Sequence, residues 1–117
     1  LPASEVGLQG SKIKSIDVWY KVGTAALNGS AAPVFNQVTL PADTVAVSGA
    51  AITTSLDSGH DAELERVAVA SHKMTVTITT PIFLEKDNAY FLYASFEAAA
   101  TSVFTLYGAQ ANYTLRL

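Results

Sequence analysis

Apolar and polar residues alternate with a period of two along most of this chain, the repeat that puts successive side chains on opposite faces of a β-strand. In residues 12–22, Ile16, Val18, Tyr20 and Val22 share one face, and Lys14, Ser15, Asp17, Trp19 and Lys21 supply the rest. Residues 73–80 repeat the pattern more strictly, with Met74, Val76 and Ile78 against Thr75, Thr77 and Thr79. A third run, 34–40, is bounded by Pro33 and Pro41, and proline suits strand ends because it has no N–H to give to a ladder. Residues 50–56 form one bulged strand with 44–47, or two short strands about Ser48-Gly49.

The last third departs from the rule. Residues 89–97 place Tyr90, Leu92, Ala94 and Phe96 on one face and Ala89, Phe91, Tyr93 and Ser95 on the other. Residues 103–116 set Val103, Tyr107, Ala109, Ala111, Tyr113 and Leu115 against Phe104, Leu106 and Gly108, and then against Gln110, Asn112, Thr114 and Arg116. A half-buried antiparallel strand is apolar on one face only. Two apolar faces imply a second burial surface, which a second copy of the chain would provide. Trp19, Phe91, Tyr93, Phe104 and Leu106 are therefore the candidate interface residues. For Trp19, Phe91 and Tyr93, burial in a second core layer and stacking on a sugar ring remain the competing readings.

Turn signals separate the strands: Asn28-Gly29, Asp57-Ser58-Gly59 and residues 85–88. One or two helical turns are expected near 61–67, where Leu64, Val67 and Ala68 share a face and Ser58 with Asp61 has capping-box spacing. Short strands at turn-separated spacing with so little helix predict an all-β chain, a single antiparallel β-sandwich over 12–117 behind an arm or lead-in at 1–11. Its core should include Val18, Tyr20, Val76, Ile78, Leu92 and Tyr113.

Composition sharpens the assembly reading. Of 117 residues, 15% are charged, against about 25% in ordinary soluble domains, so little of the surface is strongly solvated. The net charge of −3 and the absence of a lysine–arginine cluster speak against a nucleic-acid partner. The longest apolar run falls far short of the roughly 20 residues a helical membrane span needs. Without cysteine there are no disulfides and no thiolate metal sites. The chain opens on Leu1 rather than Met, which points to a processed product or a piece of a longer protein.

The densest polar group is His60, Asp61, Glu63, Glu65 and His72. Imidazole and carboxylate are the groups that ligate metals and move protons. Their spacing matches neither a zinc nor a calcium motif, and the expected reading is a solvated helical turn with flanking histidines. No nucleophile elbow, phosphate loop or dinucleotide fingerprint is present, so no enzyme activity and no cofactor are expected. Asn28-Gly29-Ser30 and Asn112-Tyr113-Thr114 fit the glycosylation triplet, the second inside an expected strand.

The opening GSKIKSIDVWYKVGTAAL and the closing SVFTLYGAQANYTLRL resemble the first and last strands of small jelly-roll proteins of tailed bacteriophages. Between them, LDSGHDAELERVAVASHKMTVTI is similar to the turn–strand segment of that group. The resemblance implies a jelly roll whose first and last strands pair, located in the virion. It implies a non-enzymatic role as a capsid decoration (cement) protein, in a homotrimer bound to the capsid shell protein. A fibre or receptor-binding domain is the alternative within that group. Outside it stand a carbohydrate-binding β-sandwich module and a surface-layer or pilus-like subunit, extracellular or on the cell surface.

Overall fold

A computed structural model describes residues 11–40, 48–84 and 87–114. Among these residues seven strands and one helical turn follow one another: β1 (Lys12–Gly23), β2 (Val34–Thr39), β3 (Ser48–Ile52), β4 (Thr54–Leu56), α1 (Glu63–Arg66), β5 (Ala70–Phe83), β6 (Asn88–Tyr93) and β7 (Val103–Thr114). All pairings are antiparallel. They build a four-stranded sheet in the order β4-β5-β1-β7 and a three-stranded sheet in the order β3-β2-β6. The chain is an all-β, sandwich-like protein. Its first and last strands pair along their length, with Val18 opposite Ala109 and Ile16 opposite Ala111.

The alternating residues of β1 and β5 explain why these two strands form the centre. Ile16, Val18, Tyr20 and Val22 on β1 face Val76, Met74, His72 and Ala70 across the ladder. Val18, Tyr20, Val76 and Ile78 are all buried, as their phase predicts. Phe35 of β2 and Tyr90 of β6 complete the same cluster from the other sheet. Leu92 packs against this cluster while only partly buried.

Tyr113, expected in the core, is 46% exposed. Its place is near the end of an edge strand, with no further strand to cover it among the described residues; separately, β7 carries a β-bulge. Tyr20 pairs with Leu106 and Trp19 with Gly108, so Tyr107 is the extra residue. One extra residue inverts the face of everything beyond it. Phe104 and Leu106 therefore share the inner face with Ala109 and Ala111. Tyr113 lies near the strand's end, opposite Ile13 and beyond a second irregularity between Ile13 and Ser15.

Several boundaries also move. Residues 50–56 are two strands on different sheets: the chain passes from β3 to β4 at Thr53, whose carbonyl accepts from Thr79 N–H at 3.1 Å. β5 runs through Pro81 to Phe83 because residues 78–81 have no partner on β1, where the register jumps from Ser15–Thr77 to Ile13–Ile82. The missing proline N–H removes no bond to β1 there. β6 stops at Tyr93, and beyond it Glu97 makes only an isolated bridge to Gly29.

Helix α1 spans four residues and begins after Ala62, whose N–H donates to Glu65 Oε1 at 3.1 Å; Ser58 and Asp61 do not cap it. Of its expected apolar face only Val67 is buried, while Leu64 is 83% exposed and Ala68 is exposed. Arg66 turns inward instead. The possible strand at 44–47 lies outside the described residues, as does the arm at 1–11 except for Ser11. Ser11 is buried, and its carbonyl accepts from Leu84 N–H at 2.8 Å.

Candidate interaction surface

Each sheet has two edges, and they are not alike. The β4 edge is only three residues long. Among the described residues β7 is a twelve-residue edge, and β6 is one edge of the other sheet. Neither β6 (NAYFLY) nor β7 (VFTLYGAQANYT) contains a charged residue or a proline. Soluble monomers normally guard long edges with lysine, proline or brevity, because unpaired N–H and C=O groups template a further strand. Here the bulge at Tyr107 is the one such device along β7.

Between these strands the sandwich gapes into an apolar groove of about 710 Å³. Ile16, Val18, Ala109 and Ala111 line it from the four-stranded sheet, and Tyr90, Leu92 and Phe96 from the other side. The opening follows from side-chain size. β7 places alanines opposite Val18 and Ile16, and methyl groups cannot span the gap of about 10 Å between stacked sheets. Among the described residues no charged one lines the groove.

The structure distributes the five candidate interface residues over three places. Phe91, Phe104 and Leu106 line the groove together. Phe104 is also part of the core edge, its ring 4.6 Å from Phe96 and 5.7 Å from Tyr20. Leu106 is 61% exposed and Phe91 47% exposed. Tyr93 is 60% exposed on β6 but does not line the groove. Trp19 lies apart, half-buried on the outer face of the four-stranded sheet, with Lys73 Nζ 5.6 Å from its ring centroid. Ala109 and Ala111 were not singled out from the sequence, because their role comes from being small.

The histidines are not a solvated turn. His60 and His72 are buried, and they bond to each other, His60 Nε2 to His72 Nδ1, at 2.9 Å. His60 Nδ1 lies 2.8 Å from Asp57 Oδ2, and His72 Nε2 lies 2.7 Å from the Ala68 carbonyl. All four ring nitrogens are engaged, leaving none to take a proton from a substrate or to bind an ion. Among the described residues no group of three metal-ligating side chains forms. The signal for His72 was its phase: it continues the Met74–Val76–Ile78 face by one step.

A second polar network crosses the outer face of the same sheet. Thr75 Oγ1 donates to Asp17 Oδ1 at 2.7 Å, and Asn112 Nδ2 donates to Asp17 Oδ2 at 3.0 Å and to Ser15 Oγ at 3.1 Å. The Thr75 and Asn112 hydrogen bonds hold the Asp17 carboxyl below its usual 3.8. Burial pushes Asp57 upward, but the bonds from His60 and the Thr75 N–H outweigh it and leave that carboxyl low as well. Both groups then bind protons less readily in the folded chain than in the unfolded one. Their contribution is complete above the ordinary carboxylate range and is lost as pH falls through it. Unfolding free energy should accordingly decline below about pH 4, and the Asp17→Asn/Asp57→Asn variant should show a flatter acid limb in denaturant titrations. An equally steep limb in that variant would assign the acid sensitivity to other groups.

Comparison of the chain with protein-family profiles, with curated proteins and with solved structures finds no match in any of the three. Among the described residues no helix is long and apolar enough to cross a membrane.

Proposed function

We propose that this chain is a non-enzymatic structural subunit that acts by assembling with copies of itself, in the manner of a capsid decoration protein on a phage shell. The observation that carries this reading is the long, uncharged β7 edge beside an open apolar groove. An unpaired strand edge is satisfied best by another strand, and the groove is filled best by apolar side chains. A second copy brings both. Each copy has a net charge of −3, but β6 and β7 contribute none of it, so copies meet there without repulsion. The β7 edge of one copy against the β6 edge of the next is a head-to-tail contact, which makes a ring where the rotation between copies closes and a filament where it does not. A trimer is the ring that the phage resemblance implies. On a shell, such a ring would add buried area between neighbouring capsid units.

Leu106→Asp tests this directly. Leu106 is exposed in the isolated chain, so the substitution leaves the fold intact, but in an assembly it buries an unpaired charge. Wild-type protein should scatter light as a closed oligomer at micromolar concentration, and the variant as a monomer with an unchanged β circular-dichroism spectrum. A variant that assembles like wild type would place the contact elsewhere.

A further inference from the structure

The outer face of the four-stranded sheet has a feature that self-assembly does not use. Cross-strand register sets Trp19 between Lys73 of β5 and Gly108 of β7, and Lys21 between Ser71 and Thr105. Tyr107, the extra residue of the bulge, is 64% exposed. With Lys21, Thr24 and Thr105 it lines a recess of about 380 Å³. Next to it, Gly108 has φ +156°, and beyond its chain neighbours no described atom lies within 4 Å of where a β-carbon would stand. The strand is therefore open beside Trp19.

Two further observations single out this spot. Thr24 sits on the rim with φ 69°, and a β-branched residue in the left-handed region is a true outlier. Such strain persists only where its surroundings impose it, and it clusters at ligand sites. The charge balance is also local. Asp17, the carboxylate on this face, is held by Thr75 and Asn112 and attracts Lys73, whereas no ion pair engages Lys21 among the described residues. A chain of net charge −3 thus presents a small positive face beside exposed aromatic surface.

We infer that this recess binds an acidic saccharide. The C–H face of a pyranose packs on the Tyr107 ring, because an aromatic side chain offers flat apolar surface beside polar groups. The Lys21 ammonium pairs with the sugar carboxylate, and the hydroxyls of Thr105 and Thr24 meet the ring hydroxyls. Trp19, flanked by Lys73, lies two residues along β1 from Lys21 on the same face. Two lysines are too few to follow a nucleic-acid backbone, which rewards many phosphate contacts. Neutral sugars would leave Lys21 without its partner.

Trp19 is the chain's single tryptophan, so its fluorescence reports on this face alone. The full chain is titrated with oligogalacturonate, with the methyl ester of the same oligomer, and with maltoheptaose. Oligogalacturonate should change Trp19 emission saturably and more weakly as salt rises, with the two neutral oligomers at least tenfold weaker. Lys21→Gln and Tyr107→Ala should each weaken the interaction at least tenfold, with the circular-dichroism spectrum unchanged. No saturable change at millimolar oligogalacturonate overturns the inference. So does equal affinity for the neutral oligomers, or unchanged affinity in both variants. Leu106→Asp should bind the saccharide as wild type does, so failure of assembly and failure of sugar binding are separate results.

Discussion

Replacing Tyr20 with alanine should cost about 3–5 kcal/mol of unfolding free energy, a large part of the stability of a domain this size. Tyr20 is fully buried, and its ring is the hub of an aromatic cluster. It stacks on His72 at 4.5 Å and 8°, and lies 4.9 Å from Phe96 and 5.7 Å from Phe104. Truncation removes transfer energy and leaves a cavity where both sheets meet. Its hydroxyl also donates to the Arg66 carbonyl at 2.7 Å, which ties α1 to β1. Tyr20→Phe removes that bond alone and should cost only about 1–2 kcal/mol. The pair of variants therefore separates packing from hydrogen bonding. Burial pushes the Tyr20 phenol up to about 12, against an ordinary value of 10.0. The unfolded chain then loses this proton first as pH rises, so stability should fall between about pH 10 and 12. Tyr20→Phe should abolish that part of the decline. A loss below about 2 kcal/mol in Tyr20→Ala would mean that the ring is not central to the core.

Arg66→Met should cost about 2–4 kcal/mol, by a different route. The guanidinium is buried, and it donates to the Ser30 carbonyl from Nη2 at 2.8 Å and from Nε at 3.3 Å. Nη1 donates to the His60 carbonyl at 3.0 Å. One side chain thus holds the loop after β1 and the turn before α1. Methionine keeps most of the stem volume but leaves two buried carbonyls without a donor. Relief of the buried charge offsets part of that cost, which is why the expected loss is moderate. Both variants are measured by urea unfolding of the intact chain. Unchanged stability in Arg66→Met would show that water replaces the guanidinium at both carbonyls.

How much of this architecture could be read from the chain depended on whether local rules applied. In β1 and β5 the period of two is unbroken from Ile16 to Val22 and from His72 to Ile78. Burial of Val18, Tyr20, Val76 and Ile78 follows directly. In β7 the same rule fails at one residue. Nothing local marks Tyr107 as a bulge except the glycine after it, and the slip turns Phe104 and Leu106 onto the face of Ala109 and Ala111. The break at Thr53 is hidden in the same way, since 50–56 alternates as one strand but feeds two sheets. The histidines were misread, and Arg66 went unread, for another reason. A four-residue helix shows too little periodicity to define a face, and polar residues are buried here because distant carbonyls and Asp57 satisfy them. The two-faced apolar character of the last third was legible. Its cause was not: Phe91, Phe104 and Leu106 meet at one groove only because Ala109 and Ala111 leave it open.

The central claim is that β7 is an edge only in the isolated chain. Amide hydrogen exchange measured across a range of protein concentrations tests it most directly. Alternate N–H groups of Val103–Thr114 bond to β1, and the others point away from it. If copies pair there, the outward amides should gain protection as concentration rises, together with an increase in sedimenting mass. Outward amides that exchange freely at every concentration, while the β1-facing ones stay protected, would contradict the account.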